Sequence, residues 1–401
     1  MLSVFLKLSS VMFISAGTTY LVSILLAKLL VPEEMGLIAL FVAYSVFFQS
    51  IIGFSLHSVS QKFDTEATTE LEKYKIIYLL ISYILLSSLI LFFVLIFIFK
   101  NNENYYILIT ALFHATSINA IAVIRTHLNN NSKTYEFVKN LILSTILATI
   151  FTIALVSLLP DWKSRAFSLI ISDIAAILYF CINIKIISFK DVIKDLNTRD
   201  LMQRLKLSVP MIIHSIFAAV YGFGDRIILQ NNIGERALGA YWLIFQISIP
   251  IFFVYEVYSR TYLPRLNSLI KSEQTEKINS DKHNLIIVTL ALIFTIHLLP
   301  LDFISSAFPN YGINALQLKI GTTVQIMNGY YVVLSLYLIS TGRTENLMWI
   351  TIVTVLLQLT LLILIIPVYK VDGALGVNCA ASLFRCALIT IAYTKNSKGK
   401  V

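Results

Sequence analysis

Ala27-Lys28-Leu29-Leu30-Val31-Pro32-Glu33-Glu34-Met35-Gly36 closes one long apolar run with a short acidic turn and opens another. Ile233-Gly234-Glu235-Arg236-Ala237-Leu238-Gly239 does the same at an offset of 203 residues. Upstream, Leu6-Lys7-Leu8-Ser9 returns as Leu205-Lys206-Leu207-Ser208 at an offset of 199. Two matches at nearly one offset describe an internal repeat. Six apolar runs lie between the copies, so both halves enter the membrane from the same side. A parallel repeat of this kind has its axis along the membrane normal, and the cavity between halves is the natural place for a substrate.

The runs around these turns number twelve: about 8–30, 35–59, 74–99, 104–127, 138–160, 165–187, 207–230, 237–261, 284–307, 313–341, 346–369 and 371–393. A membrane-crossing helix needs about 20 mostly apolar residues. Twelve of them leave no room for a large extramembrane domain in 401 residues. Composition agrees, with 57% apolar and only 13% charged residues, where a soluble domain carries about 25% charged. It excludes a soluble enzyme, a disordered chain and a nucleic-acid binder. The expected fold is an all-α integral membrane protein of about twelve helices in two six-helix lobes, with ten or fourteen spans also compatible. The expected division is 1–187, an amphipathic linker at 188–206 on the inner leaflet, and 207–401. The apolar N-terminal run reads as a first span and not as a removed signal.

With the N-terminus inside the cell, 23 of the 31 Lys and Arg fall at cytoplasmic ends and loops. That bias orients the chain with both termini cytoplasmic. Arg165 and Lys163 are counted on the opposite side. The longer polar stretches, about 60–73, 128–137, 188–206 and 262–283, all face inward. The three cysteines lie in apolar runs with no redox or ligand spacing, and the six histidines show no metal-ligand spacing.

Three stretches resemble the polysaccharide-repeat flippases of the O-antigen (Wzx) type, in the superfamily of multidrug exporters and lipid-linked oligosaccharide flippases. The first is Ala27 to Gly36, similar to that family's turn, with departures at Val31 and Met35. The second runs from Leu207-Ser208-Val209-Pro210 through Asp225-Arg226-Ile227-Ile228-Leu229 to Gly239-Ala240-Tyr241. The third is Asp372-Gly373-Ala374-Leu375-Gly376. The resemblance implies flipping of an undecaprenyl-pyrophosphate-linked glycan across the bacterial cytoplasmic membrane. It also implies rocking of two lobes, a proton or sodium gradient with no bound cofactor, and membrane lipids as partners. A polysaccharide polymerase and a chain-length regulator are candidate assembly partners.

Flipping such a headgroup is a desolvation problem, because an ionised group cannot leave water unaided. Charges inside spans are therefore site candidates by default. Arg385, deep in the last span, is a candidate phosphate-binding cation or a partner for Asp173. Asp225-Arg226 is a candidate lumen or gating pair, or a structural bond. Lys28, Lys319 and Arg125 are candidate cavity cations. Lys28 and Lys319 otherwise snorkel to an interface, and Arg125 is otherwise an orientation marker. Thr322 and Thr323 share the Lys319 face, while Gly321, Gln325 and Asn328 form a second stripe. Glu256 and Arg260, spaced i, i+4, pair on one helix face or gate the inner mouth. Asp173 is a coupling candidate. His114, His214 and His297 read as packing residues or proton relays. Pro210 and Pro250 should kink their helices.

Two other functions compete. A multidrug or metabolite exporter would share the spans and the repeat but favours an acidic cavity. A polysaccharide polymerase would carry large outer loops, and the outer loops here are short.

Overall fold

The computed structural model describes residues 2–53, 70–99, 104–130, 133–183 and 198–398. Every long element among them is an α-helix, as uninterrupted apolar sequence requires when backbone polar groups must be satisfied inside one segment. Helices α1 (Leu2–Leu29), α2 (Pro32–Gly53), α3 (Glu70–Phe99), α4 (Tyr105–Asn130), α5 (Thr134–Leu158) and α6 (Trp162–Asn183) make up the first half. The stretch Thr198–Lys271 is broken at Gly234 (φ 81°, ψ 178°) into α7 (198–233) and α8 (235–271). Next comes α9 (Thr275–Leu298), then a short helix at Asp302–Ser306 and a single 3-10 turn at Pro309–Tyr311. These lead into α10 (Ala315–Ser340). The last stretch, Thr344–Lys398, is broken at Lys370 (φ 52°, ψ −131°) into α11 (344–369) and α12 (371–398).

The twelve long helices of the described residues correspond to the twelve apolar runs. Eight stretches are long and apolar enough to cross a membrane, and the two kinked ones, of 60 and 51 residues, are each long enough for two passes. The chain is a multi-pass membrane protein. Its polarity is reversed relative to a soluble globule: Phe97 and Ile182 are 91% and 82% exposed, while Asp225, Arg226 and Arg385 are buried.

Three expectations need correction. The run 284–307 is not one helix. Pro300 holds Leu299 in an extended conformation (φ −71°, ψ 137°) and ends α9 at Leu298. The polar stretch 262–283, outside the runs expected to be helical, is itself helical. It is the ends of α8 and α9, joined by a tight turn with Glu273 at φ 55° and tied by an Arg265–Asp281 ion pair of 2.8 Å. Helical dihedrals persist through Pro210 and Pro250, and the break falls instead at Gly234. Of the linker, 188–197 lies outside the described residues, and 198–206 forms the start of α7.

The fold divides into two compact units, one of Met1–Val22 with Leu40–Ala219, the other of Ser23–Ala39 with Val220–Val401. The tip of the α1–α2 hairpin therefore belongs to the second unit. There the two acidic turns of the repeat meet reciprocally. A methyl group on Gly36 would fall on the Glu235 carbonyl, and one on Gly239 on the Pro32 carbonyl. Only glycine permits this approach. Gly36 matches Gly239 in the repeat, and Pro32 matches Glu235, so the contact is a local two-fold. Glu33 and Arg236, also matched positions, pair across it at 3.8 Å. The Tyr311 hydroxyl donates to the Leu30 carbonyl at 3.2 Å. Burial, helped by the Glu33 charge, pushes its phenol pKa up.

Candidate functional site

In the first unit, α2, α4, α5 and α6 bring polar side chains into one buried cluster. Asp173 on α6 accepts a hydrogen bond from the Ser117 hydroxyl of α4 at 2.9 Å. His114, one turn before Ser117, places Nε2 3.7 Å from the same carboxylate oxygen. Arg125 on α4 and Arg165 on α6 both act electrostatically on Asp173. Arg125 donates to Asn140 Oδ1 at 3.1 Å and to the Ser144 hydroxyl. Arg165 donates to Thr152, which bonds Ser168. Arg165 is buried, so it is not the interface marker that its place near a helix end suggested. Ser164, Ser168 and Ser172 on the same helix are buried with it, and that helical-period polar stripe is the signal sequence reasoning passed over.

In the second unit, α7, α8, α10, α11 and α12 surround another cluster. Asp225 Oδ2 accepts from Asn378 Nδ2 at 2.7 Å and from the Tyr241 hydroxyl. Asn378 Oδ1 accepts from Gln358 Nε2 at 2.7 Å. Gln358 Nε2 also donates to the Tyr221 carbonyl. Asp225 thus draws on neutral donors. Its sequence neighbour Arg226 lies on aromatic faces, 4.2 Å from the Phe223 ring centroid and 4.5 Å from that of Trp242. Arg385 is built the same way, 3.3 Å from the Tyr331 centroid and 4.3 Å from that of Tyr221. Tyr221 in turn bonds Ser382 at 2.8 Å. Arg226 Nε and Nη1, Arg385 Nε, and Asp225 Oδ1 are buried without a hydrogen-bond partner among the described residues. Cation–π contact holds each guanidinium plane and leaves these N–H groups unspent.

The structure brings together Asp173 with Arg125, and Asp225 with Arg226 on α7. Arg385 takes its partners from its own unit, as does Asp173. Lys319 instead donates to the His297 carbonyl at 2.9 Å, satisfying the C-terminal end of α9. Its neighbour Thr322 bonds Ser248 of α8 at 3.0 Å. Gly321 and Gly329 admit Ile244 and the Tyr255 ring of α8. That polar stripe on α10 is therefore used for helix packing. Glu256 and Arg260 form the expected i, i+4 pair at 2.7 Å on an exposed face. Lys28 is exposed. Tyr241 entered the sequence reading only as part of the Gly239-Ala240-Tyr241 stretch, and Gln358 and Asn378 were not singled out, because isolated uncharged polar residues in apolar runs carry no pattern. Among the described residues no group of His, Cys, Asp or Glu is arranged to hold a metal.

Solved structures share this fold. A lipid II flippase MurJ in an inward closed conformation aligns with a TM-score of 0.72 at 16% identity, over 96% of this chain and 87% of that one. A mutant of the Vibrio cholerae MATE transporter VcmN aligns at 0.65 and 14% identity, over 99% and 97%. An inward-facing multidrug-resistance MATE transporter aligns at 0.63 and 14% identity, over 100% and 96%. These likenesses establish the fold. No curated protein matches the chain. Residues 3–270 match the polysaccharide biosynthesis protein family, and the chain belongs to that family.

Proposed function

We propose that the protein flips undecaprenyl-pyrophosphate-linked oligosaccharide repeats from the inner to the outer leaflet of a bacterial cytoplasmic membrane. The observation that carries this is the pair of buried arginines, Arg226 and Arg385, in spans of a polysaccharide biosynthesis protein. An arginine in a span is expensive unless it serves a substrate or a partner. These two keep N–H groups without protein acceptors, and a pyrophosphate offers acceptors of matching geometry. The similarity to a lipid II flippase supports a lipid-linked substrate.

The cycle is alternating access driven by an ion gradient, with both termini in the cytoplasm and no covalent chemistry on the substrate. Asp173 and Asp225 are the coupling and gating carboxylates, with Glu256 and Arg260 as a secondary pair. Arg385 and Arg226 hold the anionic headgroup, and Arg125 adds positive field. Lys28 attracts lipid headgroups, and Lys319 caps a helix. A polymerase and a chain-length regulator take over the delivered repeat.

The test is deletion of the gene in its host, followed by a measurement of which leaflet holds the lipid-linked repeat. Build-up in the inner leaflet, relieved by the wild-type gene, is the expected result. Normal surface polysaccharide with no build-up contradicts it, and an altered drug-sensitivity profile in that case favours an exporter.

A further inference from the structure

The hydrogen bonds around His114 point to the tautomer protonated at Nδ1. The Ser45 hydroxyl has one hydrogen, and it donates that to the Phe41 carbonyl at 2.8 Å, the usual back-bond of a helical serine. The Ser45 oxygen is then an acceptor for His114 Nδ1, 3.2 Å away. Nδ1 therefore carries the proton of the neutral ring, and Nε2 presents a lone pair. That lone pair faces Asp173 Oδ2 at 3.7 Å. Two acceptors aimed at each other in a buried site have no bond to make unless a proton lies between them. The distance is that of a contact and not of a made hydrogen bond. The ring is held in place by stacking on Phe41, with centroids 5.1 Å apart and planes at 27°.

We infer that His114 Nε2 and Asp173 Oδ2 are a proton-binding site, and that the proton held there is the ion whose movement drives the cycle. This rests on the flippase reading for its coupling half only. When the site is loaded, Asp173 carries the proton and donates O–H to Nε2, closing the gap. When the proton leaves to water, the carboxylate is left with the Ser117 hydroxyl, whose one hydrogen it shares with the His114 carbonyl 2.9 Å away, and with the charges of Arg125 and Arg165. No proton need transfer to the imidazole, which would otherwise become a cation beside two arginines. The groups facing the pair are accounted for by element: Ser45 on α2, Ser117 and Arg125 on α4, and Arg165 on α6. On α5, Asn140, Ser144 and Thr152 hold the arginines. Loading and unloading thus change how strongly Asp173 on α6 is drawn to Arg125 on α4. That is a local two-state element of the kind an alternating-access cycle needs.

The test uses the full chain in lipid nanodiscs. Infrared difference spectra of the carboxylic acid carbonyl are followed through a pH titration. A titrating acid band is expected in the wild type and lost in Asp173→Asn. In His114→Gln its midpoint should move by about one pH unit or more. A band that persists in Asp173→Asn, or a midpoint unchanged in His114→Gln, overturns the site. Should Asp173→Asn fail to fold, Asp173→Glu keeps an acid and must move both band and midpoint. The coupling half is read in the deletion host. Loss of export of about tenfold or more in both His114→Gln and Asp173→Asn supports it, and full rescue by both overturns it while leaving the flippase reading intact. Failure of the wild-type gene to affect the lipid-linked repeat contradicts the flippase reading alone, because the infrared result stands without any substrate.

Discussion

Asp173 in the first unit and Asp225 in the second are both carboxylates inside long apolar helices, and their surroundings differ. In the first, Asp173 has a single hydrogen bond, from Ser117, and is otherwise surrounded by His114, Arg125 and Arg165. In the second, Asp225 is bonded by Asn378 and Tyr241, and Arg226 and Arg385 are laid against aromatic rings. A carboxylate tied by neutral donors is held in place by them. One faced by an imidazole lone pair is poised to exchange a proton. Arg125 and Arg165 spend donors on Asn140, Ser144 and Thr152, whereas Arg226 and Arg385, held by their ring faces, keep N–H groups without an acceptor among the described residues. On the proposed reading, one unit switches and the other holds an anion.

Removing Asp225 strains this contrast most. Asp225→Ala leaves Asn378 and Tyr241 without their acceptor and Arg226 without a neighbouring negative charge, all in a buried site. It should cost about 3–5 kcal/mol of stability. Thermal unfolding in detergent checks this, and a loss under about 1 kcal/mol would show that Asp225 is not structural. Next in size is Arg385→Ala. Charge-assisted bonds to a phosphate are worth about 1.5–3 kcal/mol, which is roughly a ten- to hundredfold loss. Export of the repeat should fall by that factor while the unfolding temperature of the protein stays close to wild type.

Packing separates the two units as well. A methyl group on Gly17 in the first unit would meet nothing within 4 Å, while one on Gly239 in the second meets the Pro32 backbone. Gly239→Ala should destabilise by about 1–3 kcal/mol, and Gly17→Ala should stay within about 0.5 kcal/mol. Expression level and unfolding of the two variants side by side decide it. A weaker effect belongs to the exposed pair across the two turns. Glu33→Gln should cost less than about 1 kcal/mol, and that cost should vanish at high salt.

The architecture was legible in the sequence because every span carries its own signal in hydropathy. The repeat was legible too, since the turns at Pro32–Gly36 and Gly234–Gly239 need glycine for a backbone contact. Charges within spans, such as Arg385, Asp173 and Asp225, were visible as exceptions. Arg165 was not, because a residue in the first turn of a helix reads equally well as an interface marker or as a buried cation. Lys319 read as a lumen cation for the converse reason. The carbonyl it caps is brought to it by the turn at Leu299-Pro300, which hydropathy hides inside one long apolar run. Asn378 and Gln358, and the role of Tyr241 as a donor, became visible only when three helices converged on Asp225.

If buried arginines carry a lipid-linked anion across the membrane, transfer between leaflets must depend on them. A flipping assay in proteoliposomes reads this, with the full chain, a fluorescent polyprenyl-pyrophosphoryl glycan, and quencher added outside. Wild-type protein should transfer the probe between leaflets, and Arg385→Ala should transfer it at no more than about a tenth of that rate. Equal rates in wild type, Arg385→Ala and protein-free vesicles would refute a role for these arginines in transport.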